Sequence, residues 1–234
     1  MIGKGIQSVK VLLLGLLLLS CIFAISQFKV SRIFPIHSVR VYGAPHLDPL
    51  YTQQLLMPLV VRGFFGIQVE TIREHLLQMP WVDEIYVRRI WPDQVVITVL
   101  ERKPIASWND QSLLGDDGEL FSPKRDTYPD ALPKLVGPEG KQIQMLEYFR
   151  DMNRLLESLH AKIAYLELTP YSTWDVVLSN GITLHLGNKD ILTRLHHFVK
   201  VYPKILANRE DDVEYVDLRY PNGLAVQWKG VKKV

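Results

Sequence analysis

The chain has 234 residues, 47% of them hydrophobic and 22% charged, and its 27 Lys and Arg nearly balance 25 Asp and Glu for a formal net charge of +2. Basic and acidic residues alternate almost everywhere, so there is no cationic face of the kind that grips DNA or RNA. The single cysteine, Cys21, sits in an apolar run, which excludes a disulfide scaffold.

Residues 11–28 carry no charge and are bracketed by Lys10 and Lys29. In a helix rising ~1.5 Å per residue such a run reaches ~27 Å, against a hydrocarbon core of ~30 Å. The expectation is a transmembrane helix at 11–28 behind a short tail at 1–10. Two rivals are a cleaved secretory signal, with Ala24-Ile25-Ser26 as a loose cleavage site, and a lipoprotein signal ending at Cys21. Both candidate sites fall inside the apolar run, and bulky residues follow Cys21, so the anchor is favoured. Lys4 and Lys10 on one side balance Lys29, Arg32 and Arg40 on the other, and charge bias leaves the orientation open.

A first module is expected over residues 35–102. Residues 36–42 alternate as a strand that stops at Gly43. Asp48 is placed to cap a helix that Pro49 opens, with Leu50, Leu55, Leu56 and Leu59 at helical spacing and Pro58 expected to end or kink it. A second helix is expected over 71–79, from the stripe Ile72, Leu76 and Met79 and the stop at Pro80. Residues 81–89 read as a strand, Ile90-Trp91-Pro92-Asp93 as a turn, and 95–100 as a last strand. The order is β-α-α-β-β: two helices on one face of a three-stranded sheet. Arg88 and Arg89 could serve as a patch for an acidic partner, but a solvated strand end explains them as well.

A second, β-rich module is expected over 103–229, with a short tail at 230–234. It opens with Leu113-Leu114, a turn at Asp116-Asp117-Gly118-Glu119 and Leu120-Phe121. Leu132, Pro133, Leu135, Gly137 and Pro138 read as an extended link. Met145, Phe149, Met152, Leu156 and Leu159 form the buried stripe of a long helix. Strands are expected at 163–168, 174–178 and 182–186, the last two joined by Asn180-Gly181. A second long helix at 191–207 is expected to bend or break at Pro203. Residues 215–220 and 224–229 then form a closing hairpin around Pro221-Asn222-Gly223.

No catalytic arrangement rises above background. His196 and His197 are adjacent on a helix and point ~100° apart, and His185 lies alone in a strand, so neither makes a zinc site. Asp116, Asp117 and Glu119 could pose as hydrolytic carboxylates, but they read as turn residues. There is no Gly-x-Ser-x-Gly and no Gly-rich phosphate loop, so no cofactor is expected. The last strand differs from its neighbours in kind. Leu224-Ala225-Val226-Gln227-Trp228 has no successor and carries neither proline nor charge before Lys229, which makes it a candidate sheet edge able to recruit a strand.

The motifs Phe34-x-Ile36, Val39-x-Val41-x-Gly43, Gly63-Phe64-Phe65, Pro80-Trp81-Val82, Val87-Arg88-Arg89-x-Trp91-Pro92 and Glu101-x-x-Pro104-x-Ala106-x-Trp108 together resemble the POTRA domain of the bacterial FtsQ/DivIB cell-division family. Asp217-Leu218-Arg219-Tyr220-Pro221-Asn222-Gly223-Leu224-Ala225-Val226-x-Trp228 is the closest likeness to that family. Ile85 departs from a slot often filled by Ala, Glu70 replaces a frequent Asp, and both tails are short.

The resemblance implies an α+β chain made of a transmembrane helix, a POTRA module and a β-rich domain with two longer helices. It implies a cytoplasmic N-terminus and a periplasmic remainder, in a single-pass, type II inner-membrane protein at the division septum. It further implies a non-enzymatic scaffold with no nucleic-acid or small-molecule ligand. FtsB would add a strand to the last hairpin within a complex with FtsB and FtsL, and FtsW and FtsI would lie further along the same machinery. The contact residues so implied are Arg219, Tyr220, Gly223, Val226 and Trp228. The other reading of that end is that Tyr220 and Trp228 fill a cross-strand pair in the domain's own core. An alternative role, a POTRA chaperone for outer-membrane assembly, predicts repeated POTRA units or a C-terminal barrel pattern, which the sequence lacks.

Overall fold

The computed structural model describes residues 15–17, 19–20, 34–206, 209–221 and 223–230. The expected tail at 1–10, most of the expected membrane segment at 11–28, the turn residue Asn222 and residues 231–234 lie outside these. Among the described residues no helix is long and apolar enough to cross a membrane. The chain divides into two compact units, Met1–Glu101 and Arg102–Val234.

In the first unit β1 (Ser38–Tyr42) is followed by α1 (Pro49–Val60), α2 (Val69–Leu77), β2 (Val82–Ile90) and β3 (Gln94–Glu101). The sheet order is β1-β3-β2, with β1 parallel and β2 antiparallel to the central strand. The alternation of Val95, Ile97 and Val99 buries all three against Leu56, Val60, Ile72 and Leu76 of the helices. Asp48 caps α1 as expected, its Oδ1 accepting the Leu50 N–H at 2.9 Å. Pro58 does not stop this helix, which runs two residues further to Val60. The carbonyl deprived of a donor belongs to Gln54, on the exposed face, where water can serve it. Gly43 has φ +76°, and a Cβ there would lie 2.3 Å from the Val99 carbonyl oxygen. That close approach is why the strand must end in glycine.

The second unit is built on one nine-stranded sheet of order β12-β11-β10-β9-β8-β7-β4-β5-β6. Its strands are β4 (Pro104–Trp108), β5 (Ser112–Gly115), β6 (Leu120–Phe121), β7 (Lys134–Val136), β8 (Ile163–Leu168), β9 (Trp174–Leu178), β10 (Thr183–Gly187), β11 (Val213–Asp217) and β12 (Ala225–Trp228). Two helices, α3 (Gln142–Leu156) and α4 (Ile191–Ile205), share one core with Leu166, Val176, Leu184 and Val216. The stripe Met145, Phe149, Met152 and Leu156 is buried there, as its spacing predicts.

Three expectations need correction. The supposed extended link at Leu132–Pro138 contains β7, which lies parallel between β4 and β8. The Asn109 side chain locks the exit, donating to and accepting from the Gly137 backbone at 3.0 Å each. Pro203 sits inside the last turn of α4, and the helix continues to Ile205. Finally, β11 stops at Asp217 rather than at residue 220, and β12 begins at Ala225. The cause is local: the Asp217 carboxylate accepts the Arg219 backbone N–H at 3.0 Å and turns the chain away from β12.

Candidate partner-binding edge

β12 is the terminal strand of the large sheet and pairs only with β11, through Val216↔Val226 and Asp217↔Ala225. A register shift lies between Val213 and Tyr215, and β12 ends opposite Val213 at Trp228. The far side of β12 therefore presents a row of backbone groups with no neighbouring strand among the described residues.

Of the five implied contact residues, Val226 and Trp228 lie on β12 itself, and Arg219, Tyr220 and Gly223 precede it in the chain. Tyr220 stands in the loop, 56% exposed. Gly223 lies in the same loop with open space around its Cα. Val226 and Trp228, half-buried, lean on the domain core from β12. Tyr220, exposed in the loop, does not fill the domain's core, whereas Trp228 packs partly against it from the last position of β12. The Trp228 ring is covered by the Arg209 guanidinium, 4.1 Å from its centroid.

Arg209 also reaches Asp212, its Nε lying 3.5 Å from Oδ2, and the next residue, Glu210, is held by a part-buried hydrogen bond. Tyr202, on the core side of α4, donates its hydroxyl to the Glu210 carboxylate, with Asn180 beside both groups. Burial, reinforced by the hydrogen bond to Glu210, pushes the Tyr202 hydroxyl up to about 12.

Arg219 is fixed from the opposite side. Its Nε donates to Asp217 Oδ1 at 2.8 Å and its Nη2 to Oδ2 at 2.6 Å. The Asp217 residue is buried while the Arg219 side chain is largely exposed. The Arg219 hydrogen bond holds the Asp217 carboxyl below the usual range against the opposing effect of burial. Arg219 also needs the glycine beneath it: at Gly187, φ +76°, a Cβ would come within 3.1 Å of Arg219 Cγ and 2.9 Å of Arg194 Nη1.

Behind Arg219 a polar row crosses the sheet. His185 stands in register with Asp217 on one side and Asp175 on the other. Its Nδ1 lies 2.6 Å from Asp175 Oδ1 and its ring meets Tyr215 edge-on. Sequence reasoning missed Asp175, Arg209 and Glu210, and did not place His185 beside Asp175 and Asp217. Only the Asp217-x-Arg219 spacing was a legible signal, because an aspartate two residues ahead is the usual acceptor of a local turn.

The remaining candidates are committed to structure. Asp117 accepts the Glu119 N–H at 2.9 Å and Glu119 pairs with Arg102 at 3.0 Å. His196 and His197 are exposed on α4. No group of three or more His, Cys, Asp or Glu able to hold a metal occurs among the described residues. In a cavity of about 890 Å³ lined by Leu132, Phe149, Asn153 and Ser179, Asn153 accepts the Ile163 N–H and Ser179 the Lys162 N–H.

The β-α-α-β-β unit places the chain among POTRA-bearing proteins, and residues 34–102 match the family model of the FtsQ-type POTRA domain. Residues 106–219 match the C-terminal domain of cell division protein FtsQ/DivIB. That second match ends at Arg219, short of Tyr220 and β12. Over 229 residues the chain is 35% identical to cell division protein FtsQ of Coxiella burnetii, covering 97% of this chain and 93% of that one. It is 32% identical to the Burkholderia pseudomallei protein of the same name, over 94% and 90% of the two chains, and 36% identical to that of Escherichia coli K12, over 75% and 66%. The chain belongs to the FtsQ/DivIB family of cell-division proteins.

Proposed function

We propose that this cell-division protein is a non-enzymatic scaffold whose β12 edge accepts a strand from FtsB within an FtsB–FtsL complex, and that Arg219, Tyr220, Gly223, Val226 and Trp228 make the contact. The observation that carries this reading is the open edge of β12, with half-buried Trp228 in its last position and exposed Tyr220 in the loop that leads into it. The scaffold is held in the inner membrane by residues 11–28, with the POTRA unit at 35–102 and the β-rich unit at 103–229 on the periplasmic side of the septum. The complex connects this site to FtsW and FtsI and so to septal wall synthesis.

Magnitudes say which part of the edge matters. A backbone hydrogen bond contributes about 0.5–1.5 kcal/mol net, so four of them reach about 6 kcal/mol at most. Micromolar binding needs about 8 kcal/mol after association entropy is met. The aromatic pair and Arg219 must supply the difference. Titration of residues 34–234 with the periplasmic parts of FtsB and FtsL tests this. Tyr220→Ala and Trp228→Ala, shown folded by circular dichroism, are expected to lose binding; unchanged affinity in both would move the interface elsewhere.

A further inference from the structure

Helix α1 has an exposed face without a single charge. From Pro49 to Val61 the sequence holds no Asp, Glu, Lys or Arg. Other helices follow the ordinary rule for a solvated face: Glu70, Arg73 and Glu74 are exposed on α2, Glu147, Arg150 and Arg154 on α3, and Lys200 and Lys204 on α4. On α1, Leu50, Gln54, Met57 and Val61 fall on one line, opposite the buried Thr52, Leu56 and Val60. Leu50 is 71% exposed, Met57 53%, Val61 74%, and Phe65 just beyond the helix 56%. An apolar strip of this extent marks a surface that meets something other than water.

The end of this strip is tied to the point where the chain leaves for the apolar run. Phe64 donates its backbone N–H to the Phe34 carbonyl at 2.9 Å, and the Phe34 and Phe65 rings meet edge-on at 5.4 Å. Residue 28 closes the apolar run, six peptide steps before Phe34. At ~3.5 Å per step the link spans no more than ~20 Å. An exposed Arg62 lies at the same end, where an anionic headgroup would meet it.

We propose that Leu50 and Met57 of α1, with Val61 and Phe65 just past its end, rest in the interfacial zone of the bilayer that takes up residues 11–28, with Arg62 beside the lipid phosphates. This rests on the membrane-anchored reading above. The helix lies in the plane of the surface with only one face immersed, and it sets how the first unit stands on the membrane.

The test uses the full chain in vesicles of phosphatidylethanolamine and phosphatidylglycerol. An environment-sensitive fluorophore is placed, in a Cys21→Ser background, by Met57→Cys, by Val61→Cys or, as a control on α2, by Glu74→Cys. A fourth sample carries the fluorophore on native Cys21, attached in detergent before reconstitution. Lipids spin-labelled near the headgroup are expected to quench the 57 and 61 labels several-fold more than the 74 label, and Val61→Glu is expected to return the 57 label to the control value. Quenching of Cys21 by deep spin labels with 57 and 61 no different from 74 overturns the inference and leaves the anchor standing. Absence of quenching at Cys21 overturns the anchor and the inference together. A blue-shifted but unquenched label at 57 would show a protein covering α1, which also overturns the lipid contact.

Discussion

Arg219 and Asp217 are joined side to side by two parallel hydrogen bonds, of 2.8 Å and 2.6 Å, while the Arg219 backbone N–H closes a turn on the same carboxylate at 3.0 Å. The largely buried member is the acid and the largely exposed member is the base. Asp217 therefore sets the direction in which Arg219 presents its remaining donors at the edge.

Removing that acid is expected to cost more than removing the base. Asp217→Ala strips the turn N–H of its acceptor and should destabilise the second unit by about 1–3 kcal/mol. Arg219→Ala should cost less than Asp217→Ala, because it leaves the turn acceptor in place and removes a side chain that is itself largely exposed. Urea unfolding of the two variants measures both, and an Arg219→Ala cost equal to that of Asp217→Ala would contradict this assignment.

The acid limb of stability carries the same signature. A carboxyl held below its ordinary value in the folded state contributes stability above the unfolded value, and that contribution fades as pH falls through the folded value. Titrated by side-chain carboxyl carbon shifts, Asp217 is expected to protonate below the ~3.9 of a free aspartate. In Arg219→Ala its midpoint should rise, since burial then acts with less opposition.

At the alkaline end Tyr202 governs. Its hydroxyl is pushed up from 10.0 to about 12, so the folded state keeps a proton that the unfolded chain has released. The resulting stability is complete below pH 10 and lost between 10 and 12. Unfolding midpoints measured across that window should fall less steeply for Tyr202→Phe than for the wild type. Tyr165, raised likewise to about 12, retains its share in both proteins.

In the first unit the most constrained position is Gly43. An added methyl would press on the Val99 carbonyl at 2.3 Å, at a positive φ that L residues rarely adopt. Gly43→Ala is expected to destabilise the POTRA unit by about 1–3 kcal/mol. Thermal unfolding followed at Trp81 or Trp91 reads the change.

How legible the protein was depends on how local each signal is. Asp48 with Pro49, the stripe at Met145 to Leu156 and the alternation of Val95, Ile97 and Val99 are all written within a few turns of chain, and each forms where its spacing places it. β7 was hidden because three residues between Pro133 and Gly137 are too few to show a period, and its strand character comes from β4 and β8 on either side. The limit of β11 was misjudged for the reverse reason: residues 218–220 continue an extended pattern, yet one hydrogen bond from the Asp217 side chain outweighs it. The polar row Asp175, His185 and Asp217 joins residues from three strands, and only register brings them together. The edge itself was visible in the run 224–228, which carries neither proline nor charge, and among the described residues β12 has one neighbouring strand.

β12 has only four residues, Ala225–Trp228, and on the proposed strand addition that brevity makes it a gauge of length. Four residues span ~13 Å, and on that proposal a guest strand has only that distance in which to match its backbone. A guest shifted by one residue would turn every side chain to the wrong face, and one that is too short would forfeit backbone pairs. Selection at such an edge acts on spacing before it acts on chemistry.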